Sequence, residues 1–242
     1  MPDLLSRLAE IIKENSRSIA FARSFDIVKL LSGSEDPYAD TKAKLGDVCR
    51  KILPRIEAHL EAHQWDVLEA MRVSAAANIV DTSVLGYEAK NIEEAIWDRP
   101  VIEETIIPPK DKDIYVVLDN AGEALVDMLL VKALRANGYR AYLVVRKESY
   151  EIDVLRKDLD NAEVIETPGN LPPIFYIGSG FVIAKGIANA EAYIEAGRVP
   201  SIHLLRAKCD VIAKVFGVPK NSPLIVSGET MRKAFLEQKQ VR

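Results

Sequence analysis

The sequence is short of the residues that would fix a small secreted scaffold. Cysteine occurs twice in 242 residues, as Cys49 and Cys209. Two distant cysteines outside any C-x-x-C pair exclude a disulfide framework and a thiolate zinc centre, and both read as buried thiols. Glycine and proline number only 12 each, which excludes collagenous and low-complexity chains. No apolar run approaches the roughly 18 residues that mark a membrane span. Met1 to Lys13 carries Asp3, Arg7 and Glu10 inside its apolar pattern, so a secretory signal is not expected there either and a cytoplasmic location is. Charge of either sign is not in large excess. Lys plus Arg is 32 against 36 for Asp plus Glu, a net charge of -4, so no nucleic-acid or membrane-surface partner is expected.

What is present is an ordinary globular composition, 48% hydrophobic and 28% charged. The length divided by about 150 residues allows one large domain or a small one beside a medium one. From Leu4 to about Ile96 apolar residues recur at three and four, as in Leu5, Leu8, Ile11, Ile12 and in Val48, Ile52, Ile56, Leu60, which predicts helices. Ser32-Gly33-Ser34 and Asp36-Pro37 break the pattern, and Pro54 is expected to kink or divide a helix. The stiff polar segment Ile106 to Asp113 reads as a connector, giving an all-helical domain over 1–110 and an α/β domain over 111–242.

Beyond residue 110 short apolar bursts alternate with helical stretches: Ile114 to Leu118, Ala141 to Val145, Val182 to Ala184, Ile202 to Leu205 and Leu224 to Val226. This predicts an α/β fold with a mostly parallel sheet covered on both faces, since the bursts are continuous rather than alternating. Ligands collect at the carboxyl ends of such strands. Asp119-Asn120-Ala121-Gly122-Glu123 follows the first burst, so Asp119 and Asn120 are candidate hard oxygen ligands and Gly122 leaves room for a phosphate or metal. Capping of the next helix by Asp119 or Asn120 explains the same residues equally well. A nucleotide or S-adenosylmethionine reading of this turn lacks the three-glycine spacing and a Walker lysine. Lys185-Gly186 after a later burst offers a cation for a phosphate oxygen, although a solvated lysine is the plain alternative. Asn78 and Asp81 lie in an Ala- and Val-rich stretch. His59 and His63 form an i, i+4 pair on a mainly charged helix, read as solvated surface for want of a third ligand.

Three of these segments occur in one order: Ala76-Ala77-Asn78-Ile79-Val80-Asp81, Leu118-Asp119-Asn120-Ala121-Gly122-Glu123 and Ala184-Lys185-Gly186-Ile187-Ala188-Asn189-Ala190-Glu191. Together they resemble the damage-control phosphatases, formerly domain of unknown function 89. Asp36-Pro37-Tyr38 with Lys42, and Ala207-Lys208-Cys209-Asp210 before Gly217-Val218, match more weakly. The resemblance covers nearly the whole chain. It implies a helical N-terminal domain on a Rossmann-like α/β domain and a divalent metal (manganese, nickel, cobalt or magnesium) held by Asp119, Asn120 and Asp153. It also implies Lys185 and Glu123 beside that metal as catalytic groups. Asn78, Asp81, Gly122, Gly186, Asn189 and Glu191 would then line the substrate side, for a small phosphorylated metabolite. Ile152 stands where the family usually has asparagine, Ala184 where it usually has serine, and the Cys-x-x-Cys pair common in its archaeal and bacterial branch is missing. A non-catalytic sensor of a phosphorylated ligand, or an S-adenosylmethionine-dependent methyltransferase, are the alternatives.

Overall fold

The computed structural model describes residues 2–79, 92–160 and 162–239. The N-terminal part is helical, with α1 (Pro2–Glu14), α2 (Arg17–Ser32), α3 (Ala39–Ala62), α4 (Val67–Ala77) and the single turn α5 (Ile92–Ala95). Gly33 ends α2 in the left-handed conformation at φ 64°, as the Ser-Gly-Ser break predicts. Pro54 does not divide a helix: α3 runs continuously through it. Ile52, Ile56 and Leu60 are buried along one stripe of α3, and that burial offsets the single backbone hydrogen bond that proline removes.

The sheet contains β1 (Ile102–Glu103), β2 (Asp113–Val117), β3 (Arg140–Arg146), β4 (Val164–Thr167), β5 (Phe181–Lys185), β6 (Ser201–Arg206) and β7 (Pro223–Ser227). Their order is β1-β7-β6-β5-β2-β3-β4, parallel throughout except for the β6–β7 pair. Four helices are interleaved with these strands: α6 (Ala121–Ala136), α7 (Gly186–Ala196), α8 (Asp210–Phe216) and α9 (Gly228–Lys239). Successive strand residues bury into opposite layers. Val116, Ile183, Leu204 and Ile225 join a core with residues of α3, α4 and α6. Val117, Val182 and Ala184 pack with Ala192 and Tyr193 of α7, and Leu205, Leu224 and Val226 with Met231 of α9. Coverage of both faces explains why these strands read as unbroken apolar runs.

The connector near residue 110 lies between β1 and β2, and the largest apolar core includes residues on both sides of it. Two strands were not expected. β1 is two residues long and β4 is an edge strand with Ile165 and Glu166 exposed, so neither carries the signal of a buried strand. Among the described residues no helix is long and apolar enough to cross a membrane.

From β2 the chain winds through β3 to β4 on one side, then returns to place β5 on the other side of β2. The direction of winding therefore reverses between β2 and β5, and the crevice beyond their carboxyl ends is where an open α/β sheet binds ligands.

Candidate active site

Both central motifs emerge at this switch point. Val117 pairs with Ala184, so Asp119, two residues past Val117, and Lys185, the last residue of β5, leave adjacent strands at the same end. The loop after β3 closes over them. Asn120 and Asp153 form an antiparallel bridge, the Ala121 N–H donates to the Ile152 carbonyl at 3.0 Å, and the Val154 N–H to the Asp119 carbonyl at 2.8 Å. Asp119, Asn120 and Asp153 are thus brought side by side by backbone pairing, and all three are buried.

Each carboxylate has a fixed neighbour. Arg146, buried at the end of β3, donates from Nε to Asp153 Oδ2 at 2.6 Å and from a terminal nitrogen to the Asn170 carbonyl, with its guanidinium 4.4 Å from the Tyr150 ring centre. Asp119 lies against the first residue of α7, where a Cβ placed on Gly186 would sit 1.8 Å from Oδ2. Gly186 has φ 71°, a conformation and a contact that both require glycine.

Glu123 is fully buried one turn into α6. Asn78 Nδ2 donates to both its oxygens at 2.8 and 2.9 Å and to Asp119 Oδ2 at 3.3 Å, and the Asn120 N–H donates to Glu123 Oε1 at 3.3 Å. Asn120 is therefore the N-cap of α6. Gly122 is buried in the same first turn. Lys185 is fully buried, which excludes a solvated surface lysine. Its ammonium donates to the Ser74 carbonyl and hydroxyl, the latter at 3.0 Å, and lies 3.2 Å from Asp127 Oδ1 and 3.8 Å from Glu123 Oε2. Burial, opposed by the Lys185 charge and assisted by Glu123, raises the Asp127 pKa above the usual carboxylate range.

Asn189 joins the two strand ends, donating from Nδ2 to the Leu118 and Lys185 carbonyls at 3.0 Å each. Its Oδ1 is buried with no hydrogen-bond partner. Glu191 lies outside this network: it pairs with Arg17 of α2 at 3.2 Å, and burial raises its pKa against the pull of Arg17. With Ser18, Phe21, Arg146 and Tyr150 it lines a small pocket of about 20 Å³. Asp81 lies outside the described residues.

Several residues of the site have no clear sequence signal. Arg146, Ser74 and Asp127 are three. Arg206 is a fourth: its backbone N–H donates to Asn78 Oδ1 at 3.1 Å, and its buried guanidinium donates to the Ala76 and Ala95 carbonyls at 2.9 and 2.6 Å. It anchors the end of α4 that presents Asn78. In the weaker Asp36 match, Lys42 and Lys157 approach the carboxylate at 3.0 and 2.7 Å. Burial disfavours the charge on Asp36, but these cations and the Ser149 hydroxyl hold its pKa below the ordinary value.

The donor types suit a hard divalent cation: backbone pairing sets two carboxylates and an amide side by side, and a buried amide oxygen on Asn189 lacks a partner. Residues 3–169 match the model of the damage-control phosphatase ARMT1-like domain. The chain belongs to the damage-control phosphatase family. A damage-control phosphatase of Archaeoglobus fulgidus is 29% identical over 217 residues, covering 77% of this chain and 74% of that protein. One of Pyrococcus horikoshii is 25% identical over 218 residues, covering 78% and 74%. The crystal structure of a DUF89 family protein from Pyrococcus horikoshii superimposes with a TM-score of 0.73 at 22% identity, covering 94% of this chain and 89% of that one. This likeness carries the family fold, a mostly parallel seven-stranded sheet flanked by helices.

Proposed function

We propose that this damage-control phosphatase family member is a metal-dependent phosphomonoester hydrolase acting on small phosphorylated metabolites, such as sugar phosphates or damaged phospho-metabolites. The observation that supports the reading is the backbone pairing that sets Asp119, Asn120 and Asp153 side by side at the switch point, with a fully buried lysine at the end of the adjacent strand. The names of the curated relatives agree with a phosphatase. Asp119, Asn120 and Asp153 would hold manganese, nickel, cobalt or magnesium, because oxygen donors accept each of these ions. When bound, such a cation supplies Lewis-acid polarisation of a phosphoryl oxygen and neutralises its charge.

The protein's own groups divide the remaining work. Arg146 holds the Asp153 carboxylate at a fixed angle, which orients a ligand oxygen from outside the coordination sphere. Lys185 sets a positive charge beneath the phosphoryl site. Its partners Ser74, Asp127 and Glu123 fix its position, so this electrostatic stabilisation needs no reorganisation during reaction. Both Glu123 oxygens are engaged by Asn78. We therefore assign Glu123 to positioning Asn78, Asn120 and Lys185 rather than to taking a proton from water. Gly186 leaves space for the Asp119 carboxylate rather than for the phosphoryl group, Glu191 is committed to Arg17 instead of the leaving group, and Asn189 and Gly122 are assigned to the substrate side.

A panel of phosphomonoesters assayed with each of the four ions, and with chelator, tests the reading. Metal-stimulated phosphate release is expected, and tight ligand binding without release from any ester would favour the sensor alternative.

A further inference from the structure

The i, i+4 pair His59 and His63 has a third partner that sequence spacing does not reveal. Glu69, two residues into α4, approaches it across the turn between α3 and α4, and one ligand atom from each of the three residues lies within 4.8 Å of the other two. We propose that His59, His63 and Glu69 form a second metal site, selective for a borderline divalent ion of the zinc type and separate from the oxygen-donor centre at Asp119. The inference stands independently of the phosphatase reading.

The donor set is already organised for such an ion. His59 Nε2 is 2.8 Å from Glu69 Oε1, close to the roughly 3.3 Å that separates tetrahedral ligands at zinc bond lengths of about 2.0–2.1 Å. Arg72 and Arg99 donate to the other oxygen, Oε2, at 3.0 and 2.7 Å, which orients the carboxylate and leaves Oε1 facing the histidines. Arg72 is itself balanced by Glu103 at 2.5 Å. His63 Nδ1 lies 2.8 Å from the His59 carbonyl. Donation there fixes the tautomer that presents a lone pair at Nε2, a common outer-shell arrangement for a ligating histidine. The imidazole rings are 4.2 Å apart, and the His63 side chain is exposed. Two imidazoles and one carboxylate favour zinc, nickel or cobalt over magnesium.

The turn that assembles the site is strained. Gln64 and Trp65 are consecutive non-glycine residues in the left-handed region, at φ 55° and 56°. Such residues persist where the surroundings over-determine them. A metal bridging the end of α3 to the start of α4 would stabilise this turn. Nine residue steps separate Glu69 from Asn78, which at 1.5 Å per residue is about 14 Å along α4.

The test is a calorimetric titration of the untagged, chelator-treated full chain with zinc, alongside His63→Ala and Asp119→Asn. One binding event is expected to vanish in His63→Ala and to persist in Asp119→Asn, whether or not the oxygen centre also takes zinc. X-ray absorption at the zinc edge of the wild-type chain needs no substitution, and imidazole nitrogens should appear among the scatterers, since the Asp119 centre offers only oxygens. No zinc binding in the wild type, unchanged binding in His63→Ala, or an oxygen-only shell would each overturn the proposal.

Discussion

Gly186 packs so closely on Asp119 that a methyl group at its Cα would lie 1.8 Å from the carboxylate oxygen. The contact couples the two central motifs, because it can form only if β2 and β5 are adjacent and α7 begins at once after Lys185. Gly186→Ala is therefore expected to displace Asp119 and to add backbone strain of about 1–3 kcal/mol at a positive φ. Metal-stimulated activity should fall well before the fold is lost, which thermal unfolding and turnover measured on the same sample would establish.

Arg146 is hydrogen-bonded to Asp153, and on the proposed ligand assignment it would act through that carboxylate. Removing an outer-shell partner of this kind typically costs 10–100-fold in metal affinity or activity. Arg146→Ala should weaken metal activation by about that factor, read as a rise in the metal concentration giving half-maximal rate. An unchanged activation curve would remove Arg146 from the site.

Lys185 is the counter-charge for two fully buried acids, Asp127 and Glu123. Lys185→Met leaves them uncompensated, and breaking a buried pair in this way costs about 3–5 kcal/mol. The double substitution Lys185→Met with Asp127→Asn should recover part of the stability and none of the activity. Denaturant unfolding and turnover separate these effects.

His203, buried on β6 beside Ser201 at 3.0 Å, has its pKa pushed down to about 3 by burial, with Arg232 adding to the shift. The unfolded chain protonates this histidine below about pH 6.5 while the folded chain does not, so the unfolded state binds more protons. Stability should fall by about 1.4 kcal/mol per pH unit as pH drops from about 6.5 towards 3. His203→Asn should remove that slope, measured by denaturant unfolding between pH 6.5 and 4.5.

The legible parts of this molecule are those in which one residue carries its own signal. Asp119 and Lys185 stand out because each is a polar residue at the end of a continuous apolar run, and the Ser32-Gly33-Ser34 stop of α2 is visible from its own glycine. Asp153 entered only through family resemblance, since its meeting with Asn120 depends on a loop folding back across 33 positions. Arg146, followed by Lys147 and Glu148, looks like solvated charge, and only the fold buries it. Glu69 likewise looks like an ordinary first-turn acid until the left-handed turn at Gln64 and Trp65 carries it to His59. In each case a long-range contact, rather than a local propensity, decides what the residue does.

The most direct test of the central claim compares phosphate release from p-nitrophenyl phosphate, with saturating manganese or cobalt, in the wild type, Asp119→Ala and Asp153→Ala after circular dichroism has verified folding. Metal-stimulated turnover is expected in the wild type and its loss in both variants. Full metal-stimulated activity in either folded variant would contradict the ligand assignment.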